Sequence, residues 1–317
     1  MGTQVRDLES YNDFNILVTG GSGQIGSELK FRKENSNFKF FFPSSKELNL
    51  LEFDTIERYL DTNDFHLIIN LAAFTDVDKS EIYKKKANKI NNLAVKKIAQ
   101  EANNRNIYLI HSSTDYVFGK SNNAPYSSLD NKSPVNYYGY TKSLGEDVAL
   151  ANSNKSMIIR FASVFSKYGN NFIKTIIRKL ITDSVVKVVS DQKISLTYAG
   201  DISSNISSII NLCRNNDFNK NKVFHLVSDE FTDWFSVAEV IYEEINNLKD
   251  NFLKSKLVPI SSREWNSKAK RPKDSRLAVD HSFLNKNGIS IQSWEDSVRY
   301  VVRETFFDIL DEIKNEN

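Results

Sequence analysis

The chain has 317 residues, 40% of them hydrophobic, and its 42 basic and 40 acidic residues leave a net charge of +2, the make-up of an ordinary globular protein with room for a full core. A charge so balanced gives no reason to expect nucleic acid or an anionic membrane as partner, and no apolar run approaches the roughly 20 residues that cross a bilayer. The single Cys213 excludes an internal disulfide and four scattered histidines show no metal-ligand spacing, so a cytoplasmic, metal-free protein is expected.

Residues 1–13 are polar, lack the apolar stretch of a signal peptide and read as a flexible tail. Next comes an apolar run, Phe14 to Thr19, that reads as a first strand and leads into Gly20-Gly21-Ser22-Gly23-Gln24-Ile25-Gly26 and a helix. Strand, glycine loop and helix in this order predict a dinucleotide site. Gly20 permits the tight turn, Gly23 the approach of a pyrophosphate and Gly26 close helix packing, with Gln24 and Ile25 at the helix start beside the anion. A second strand over 38–42 runs into Pro43-Ser44-Ser45-Lys46-Glu47-Leu48-Asn49-Leu50, with no acid where NAD-preferring folds bind the ribose 2′-hydroxyl. Ser44, Ser45 and Lys46 suit the 2′-phosphate of NADPH instead, and Asn49 and Leu50 should border the adenine; an ordinary helix-capping turn is the alternative.

Strand-like runs at 67–71, 107–111 and 157–161 alternate with helical patterns at 54–60, 83–104 and 137–150, which argues for a parallel, doubly wound sheet of Rossmann type. Lys84, Lys85 and Lys86 fall on a solvated helix face. In Asn136-Tyr137-Tyr138-Gly139-Tyr140-Thr141-Lys142 the spacing puts Tyr138 and Lys142 on one face of a helix, where an ammonium favours the ionised phenol and the pair can relay protons. Thr114 ends the fourth strand, where open α/β sheets place ligands. Beyond residue 165 come helices near 171–181, 201–214, 234–247 and 294–313, with short strands at 185–189 and 223–227. The expected division is a dinucleotide-binding domain over 14–165, rejoined by parts of 195–230, and a smaller α/β substrate lobe formed mainly by 166–317.

With these pieces in order, the chain resembles the dTDP-4-dehydrorhamnose reductase (RmlD) family of extended short-chain dehydrogenases over nearly its whole length. The resemblance is carried by the 20–26 loop, by Asn70-Leu71-Ala72-Ala73-Phe74-Thr75-Asp76-Val77-Asp78-Lys79-Ser80-Glu81, by His111-Ser112-Ser113-Thr114-Asp115-Tyr116-Val117-Phe118 and by Tyr138-x-x-x-Lys142. Gly169-Asn170-Asn171-Phe172, Asp191-Gln192, Phe224-His225-Leu226-Val227 and Arg271-Pro272-Lys273-Asp274-Ser275-Arg276-Leu277 follow.

The resemblance implies hydride transfer from NADPH to the C4 carbonyl of a nucleotide-activated 4-keto-6-deoxy sugar, in deoxysugar biosynthesis for surface polysaccharide. Tyr138 would give the proton, Thr114, with Ser113 as rival, would hydrogen-bond the same oxygen, and Lys142 would depress the Tyr138 pKa and hold the nicotinamide ribose. Ala72, Ala73 and Thr75 would border the cofactor, with Asp78 on the same loop. Val77, Asp115, Ser163 and Asn171 would face the substrate, and Arg271 or Lys270 its diphosphate. A dedicated cysteine and histidine serve relatives that also epimerise, whereas Cys213 falls in a helix, so simple reduction is expected. An epimerase or dehydratase, and a non-catalytic regulatory subunit, are the rival readings.

Three departures stand out. Ser163 occupies the place of a usual aromatic, and Ile194 and Leu196 replace a glycine and a proline, so the preferred substrate is expected to be a 4-keto-6-deoxy sugar configured or substituted differently from dTDP-4-keto-L-rhamnose, with Phe161, Phe165 or Tyr168 as replacement rings. Some members dimerise through magnesium held by carboxylates; Glu28 matches one ligand, but Gly200 stands where another would be. No metal is expected, and a homodimer stays open.

Overall fold

A computed structural model describes residues 14–32, 38–120, 123–214, 223–250 and 252–316; the expected tail, 1–13, lies outside them. Five apolar segments, β1 (Asn15–Thr19), β2 (Lys39–Phe41), β3 (Leu67–Asn70), β4 (Tyr108–Thr114) and β5 (Ser156–Phe161), join Val223–His225 in a six-stranded sheet. Every pairing in it is parallel, and the order runs Val223–His225, β5, β4, β3, β1, β2. Burial on both faces explains why β1, β3 and β5 are apolar runs rather than alternating patterns. On one face lies a cluster of Ile16, Val18, Ile69 and Ile159 with Ile202, Ile206 and Ile210; on the other, Leu17, Ile68 and Leu109 pack against Ile56, Val95 and Ile98. This is the Rossmann-type α/β architecture expected from the sequence.

From β1 the chain moves outward to β2 and then back past β1 to β3. That reversal opens a crevice at the carboxyl ends of the strands, the usual ligand position in such sheets. A third apolar cluster, built by helices Phe172–Thr182, Trp234–Leu248 and Trp294–Glu316 with the paired strands Val185–Val189 and Lys256–Ile260, stands beside the crevice.

Three local differences from the sequence expectation matter. The helix expected over 83–104 carries a π-helical turn, Lys89–Leu93, between Lys84–Asn88 and Ala94–Asn104. The turn accompanies the fully buried Asn91, whose amide donates to Phe74 O and Thr141 Oγ1 and accepts from Phe74 N. The helix expected over 201–214 breaks at Asn205, whose side chain donates to Asp201 O and Ser290 O and accepts from Ser290 N, so tertiary bonds replace helical continuity. Val77 and Asp78, expected on a loop, begin the helix Val77–Ile82, because Asp76 accepts a bond from Lys79 N at 2.9 Å and caps it.

Candidate active site

A cavity of about 530 Å³ occupies the crevice, lined by the glycine loop, by Ser112 to Tyr116 at the end of β4, and by Tyr138 and Lys142. Gly20 has φ +72°, and a Cβ there would lie 2.7 Å from Ala72 N, so no other residue fits the turn. At Gly26 a Cβ would stand 2.6 Å from Gly20 O, which shows that this glycine seats the helix against its own loop.

Tyr138 and Lys142 lie in the first turns of helix Tyr137–Asn152, whose N-cap, Asn136, accepts from Gly139 N at 2.8 Å. The Tyr138 side chain is hydrogen-bonded to Thr114, which in turn donates to Asp115 Oδ1 at 2.9 Å and accepts from Tyr116 N. Of the two hydroxyls weighed in the sequence, Thr114 is the one bonded to Tyr138, and both line the cavity. Lys142 is almost fully buried and donates from Nζ to Ser112 O at 2.6 Å.

The electrostatics correct one expectation. Burial pushes the Tyr138 hydroxyl up to about 12, the Thr114 bond opposing and the Asp115 charge adding to it; Lys142 does not depress it. Burial also pulls Lys142 down to about 8, against the pull of Glu146. The ammonium is aimed at the Ser112 carbonyl instead of the phenol, so the geometry leaves Tyr138 a protonated donor. Asp115, enclosed beside Thr114, is raised to about 6 by burial, with bonds from Ser275 and Thr114 opposing.

Other sequence candidates divide into those that face the cavity and those that do not. Gly20, Gly23, Gln24, Ile25, Gly26, Ala73, Thr75, Val77, Asp115 and Ser163 line it. Ala72 turns away, its N–H donating to Thr19 Oγ1. Gln24 donates to Val164 O and accepts from Asn171 Nδ2, both at 2.9 Å, while Asn171 caps helix Phe172–Thr182, so these two amides fasten the segment after β5 to the glycine loop. At the end of β2, Ser44 N and Oγ both donate to Glu47 at 2.8 Å, Asn49 bonds Glu52 and Leu51, and Leu50 is buried under the sheet. The turn closed here, with Glu47 N and Leu48 N donating to Ser44 O, caps no helix, because helix Phe53–Leu60 starts only after Glu52, whose side chain makes no capping bond; Ser45 and Lys46 lie exposed in the turn.

Residues 14–306 match the family described as RmlD substrate binding domain. The chain belongs to that family. It is 30% identical over 287 residues to dTDP-4-dehydrorhamnose reductase of Aggregatibacter actinomycetemcomitans, covering 90% of this chain and 97% of that protein. Likewise, it is 30% identical over 295 residues to the Escherichia coli K12 protein of the same name, covering 92% and 98%. A crystal structure of dTDP-4-dehydrorhamnose reductase from Bacillus anthracis in complex with NADP is similar at TM-score 0.82 and 29% identity, over 92% of this chain and 100% of that one.

Within this RmlD-family chain the basic residue singled out near the C-terminus is already paired. Arg271 donates to Asp78 Oδ2 at 2.8 Å, and also bonds Ser267 Oγ and Tyr116, which ties its segment to helix Val77–Ile82. It is not among the residues that line the cavity. Sequence reasoning missed Ser22, Leu71, Ser112, Tyr116, Val164, Gly169, Asn170 and Trp234, all of which line it. Strand ends betray Leu71 and Ser112; nothing local marks Trp234 except the capping Asp233 before it.

Proposed function

We propose that this chain uses NADPH to reduce the C4 keto group of a nucleotide-activated 4-keto-6-deoxy sugar, a step of deoxysugar biosynthesis. The observation that carries the reading is the Tyr138–Thr114 hydrogen bond inside the cavity floored by the glycine loop, with the phenol held protonated. Dinucleotide binding fits the loop, since Gly20, Gly23 and Gly26 line the cavity and Gly20 lets the turn close against the backbone of Leu71 and Ala72. Gly23 and Ile25 would meet the pyrophosphate, Ser45 and Lys46 the 2′-phosphate, and Lys142 the ribose. When bound, NADPH supplies the hydride. Negative charge then grows on the sugar oxygen, where the Thr114 hydroxyl, turned from Asp115, donates a hydrogen bond and Tyr138 delivers the proton.

Residues 14–165, with parts of 195–230, would hold the cofactor and 166–317 mainly the sugar nucleotide. Cys213 is fully buried in the core and its thiol is pushed up by burial, so it offers no base for epimerisation. Named dTDP-4-dehydrorhamnose reductases over nine-tenths of the chain, and the NADP complex of one of them, support the reading. The test is NADPH oxidation across dTDP-, UDP-, GDP- and CDP-4-keto-6-deoxy sugars, with the product identified by NMR. Steady oxidation giving a 4-hydroxy sugar is expected; cofactor that stays bound without net turnover would instead make the protein an epimerase or dehydratase.

A further inference from the structure

Behind Ser163 the cavity adjoins an annex of about 120 Å³, and the two hollows share Ser163, Asn170 and Trp234. Most of the annex wall is apolar, with Leu196, Val237 and Val298 buried there beside Ile173, and the amides Gln24, Asn170 and Asn171 complete it. At the passage, Ser163 has φ +43°, a left-handed backbone uncommon for residues other than glycine, and its small side chain leaves the way open.

Trp234 stands at the same passage, and its position is fixed from three sides. Thr232 and Asp233 pair antiparallel with Ile194 and Lys193. Asp233 caps the helix that begins at Trp234, accepting from Phe235 N and Ser236 N. The indole lies 4.5 Å from the ring of Phe172. The two segments that depart from the family pattern therefore converge on one side chain: residues 193–194 hold the strand before it, and Ser163 leaves room in front of it.

We infer that Trp234 is the platform for the sugar ring and that the annex receives an N-acyl substituent of the sugar. The inference rests on the reductase reading and names its substrate class more closely. A pyranose presents a C–H face that packs on an indole, and an acyl methyl belongs on an apolar wall while its amide stays at the polar mouth beside Asn170. A sugar with only hydroxyls leaves the annex unfilled. One added apolar group in such a pocket is worth about 10-fold or more in kcat/KM.

The experiment compares three substrates on one nucleotide: a 4-keto-6-deoxy sugar with hydroxyls, its 2-acetamido counterpart and its 3-acetamido counterpart. The wild type is expected to prefer one acetamido sugar by about 10-fold. Trp234→Ala should raise KM far more than it lowers kcat, with Trp234→Phe recovering part of the loss, and Leu196→Phe, which fills the annex, should abolish the preference. Thermal unfolding of each variant shows that the fold is kept. Turnover of the hydroxyl sugar with equal or higher kcat/KM overturns this inference and leaves the reductase reading standing, as does an unchanged KM in Trp234→Ala; turnover of none of the three overturns both.

Discussion

The Tyr138 hydroxyl and the Thr114 side chain are hydrogen-bonded to each other, and Thr114 passes the chain on to the enclosed Asp115. A proton donor and an oxyanion partner thus share one spot at the end of β4. Replacing Tyr138 by Phe removes the donor and leaves the glycine loop untouched. The turnover rate is expected to fall about 10²- to 10⁴-fold, while NADPH affinity, read by fluorescence titration, holds. Turnover near that of the wild type would sink the mechanism.

The Lys142 ammonium, drawn down to about 8, loses its proton within the working range, whereas Tyr138, near 12, stays protonated throughout. The kcat/KM for NADPH is therefore expected to decline as pH rises through about 8. Lys142→Met should lower the whole profile and remove that decline. An alkaline limb near pH 8 that survives in Lys142→Met would assign it to another group.

Asp115 is the opposite case of a buried carboxyl raised to about 6. A folded-state pKa above the ordinary 3.8 means that the carboxyl's contribution to stability is fully present below that value and is lost as pH rises through 6. A shift of this size corresponds to about 3 kcal/mol. Asp115→Asn should gain stability relative to the wild type by up to that order between pH 3.5 and pH 8, measured by denaturant unfolding. A difference that stays constant over this range would show that the charge is already satisfied.

Legibility in the sequence followed the range of the interaction. The glycine loop, the parallel sheet and the Tyr138–Lys142 pair are encoded within a few residues and could be read directly. Partners could not: Asp78 meets Arg271 across 193 positions, and Lys142 meets a backbone carbonyl that no side-chain pattern announces. Ser44, Glu47 and Asn49 show the same limit from the other side, because hydroxyls and amides that suit a phosphate also close local turns. Of the three rings expected in place of the missing aromatic, Phe161 lines the main cavity and Phe165 the annex, while Tyr168 lines neither; Trp234, which borders both, has no such local sign.

Arg271 and Asp78 form a partly exposed ion pair, worth about 1 kcal/mol or less to stability. If the guanidinium turns to the substrate diphosphate, Arg271→Ala should raise KM for the sugar nucleotide about 10-fold, the loss of one charge-assisted bond. NADPH affinity and unfolding midpoint should scarcely move. An unchanged KM would leave Arg271 as a clasp between its segment and helix Val77–Ile82.

The central claim is that hydride reaches C4 of the sugar while Tyr138 protonates the oxygen. Its most direct test is a single turnover with NADPH deuterated at the transferring position, followed by NMR of the sugar product. Deuterium at C4 of a 4-hydroxy sugar, formed by the wild type and nearly absent with Tyr138→Phe, is the expected result; deuterium at another carbon, or a product that carries none, would contradict it.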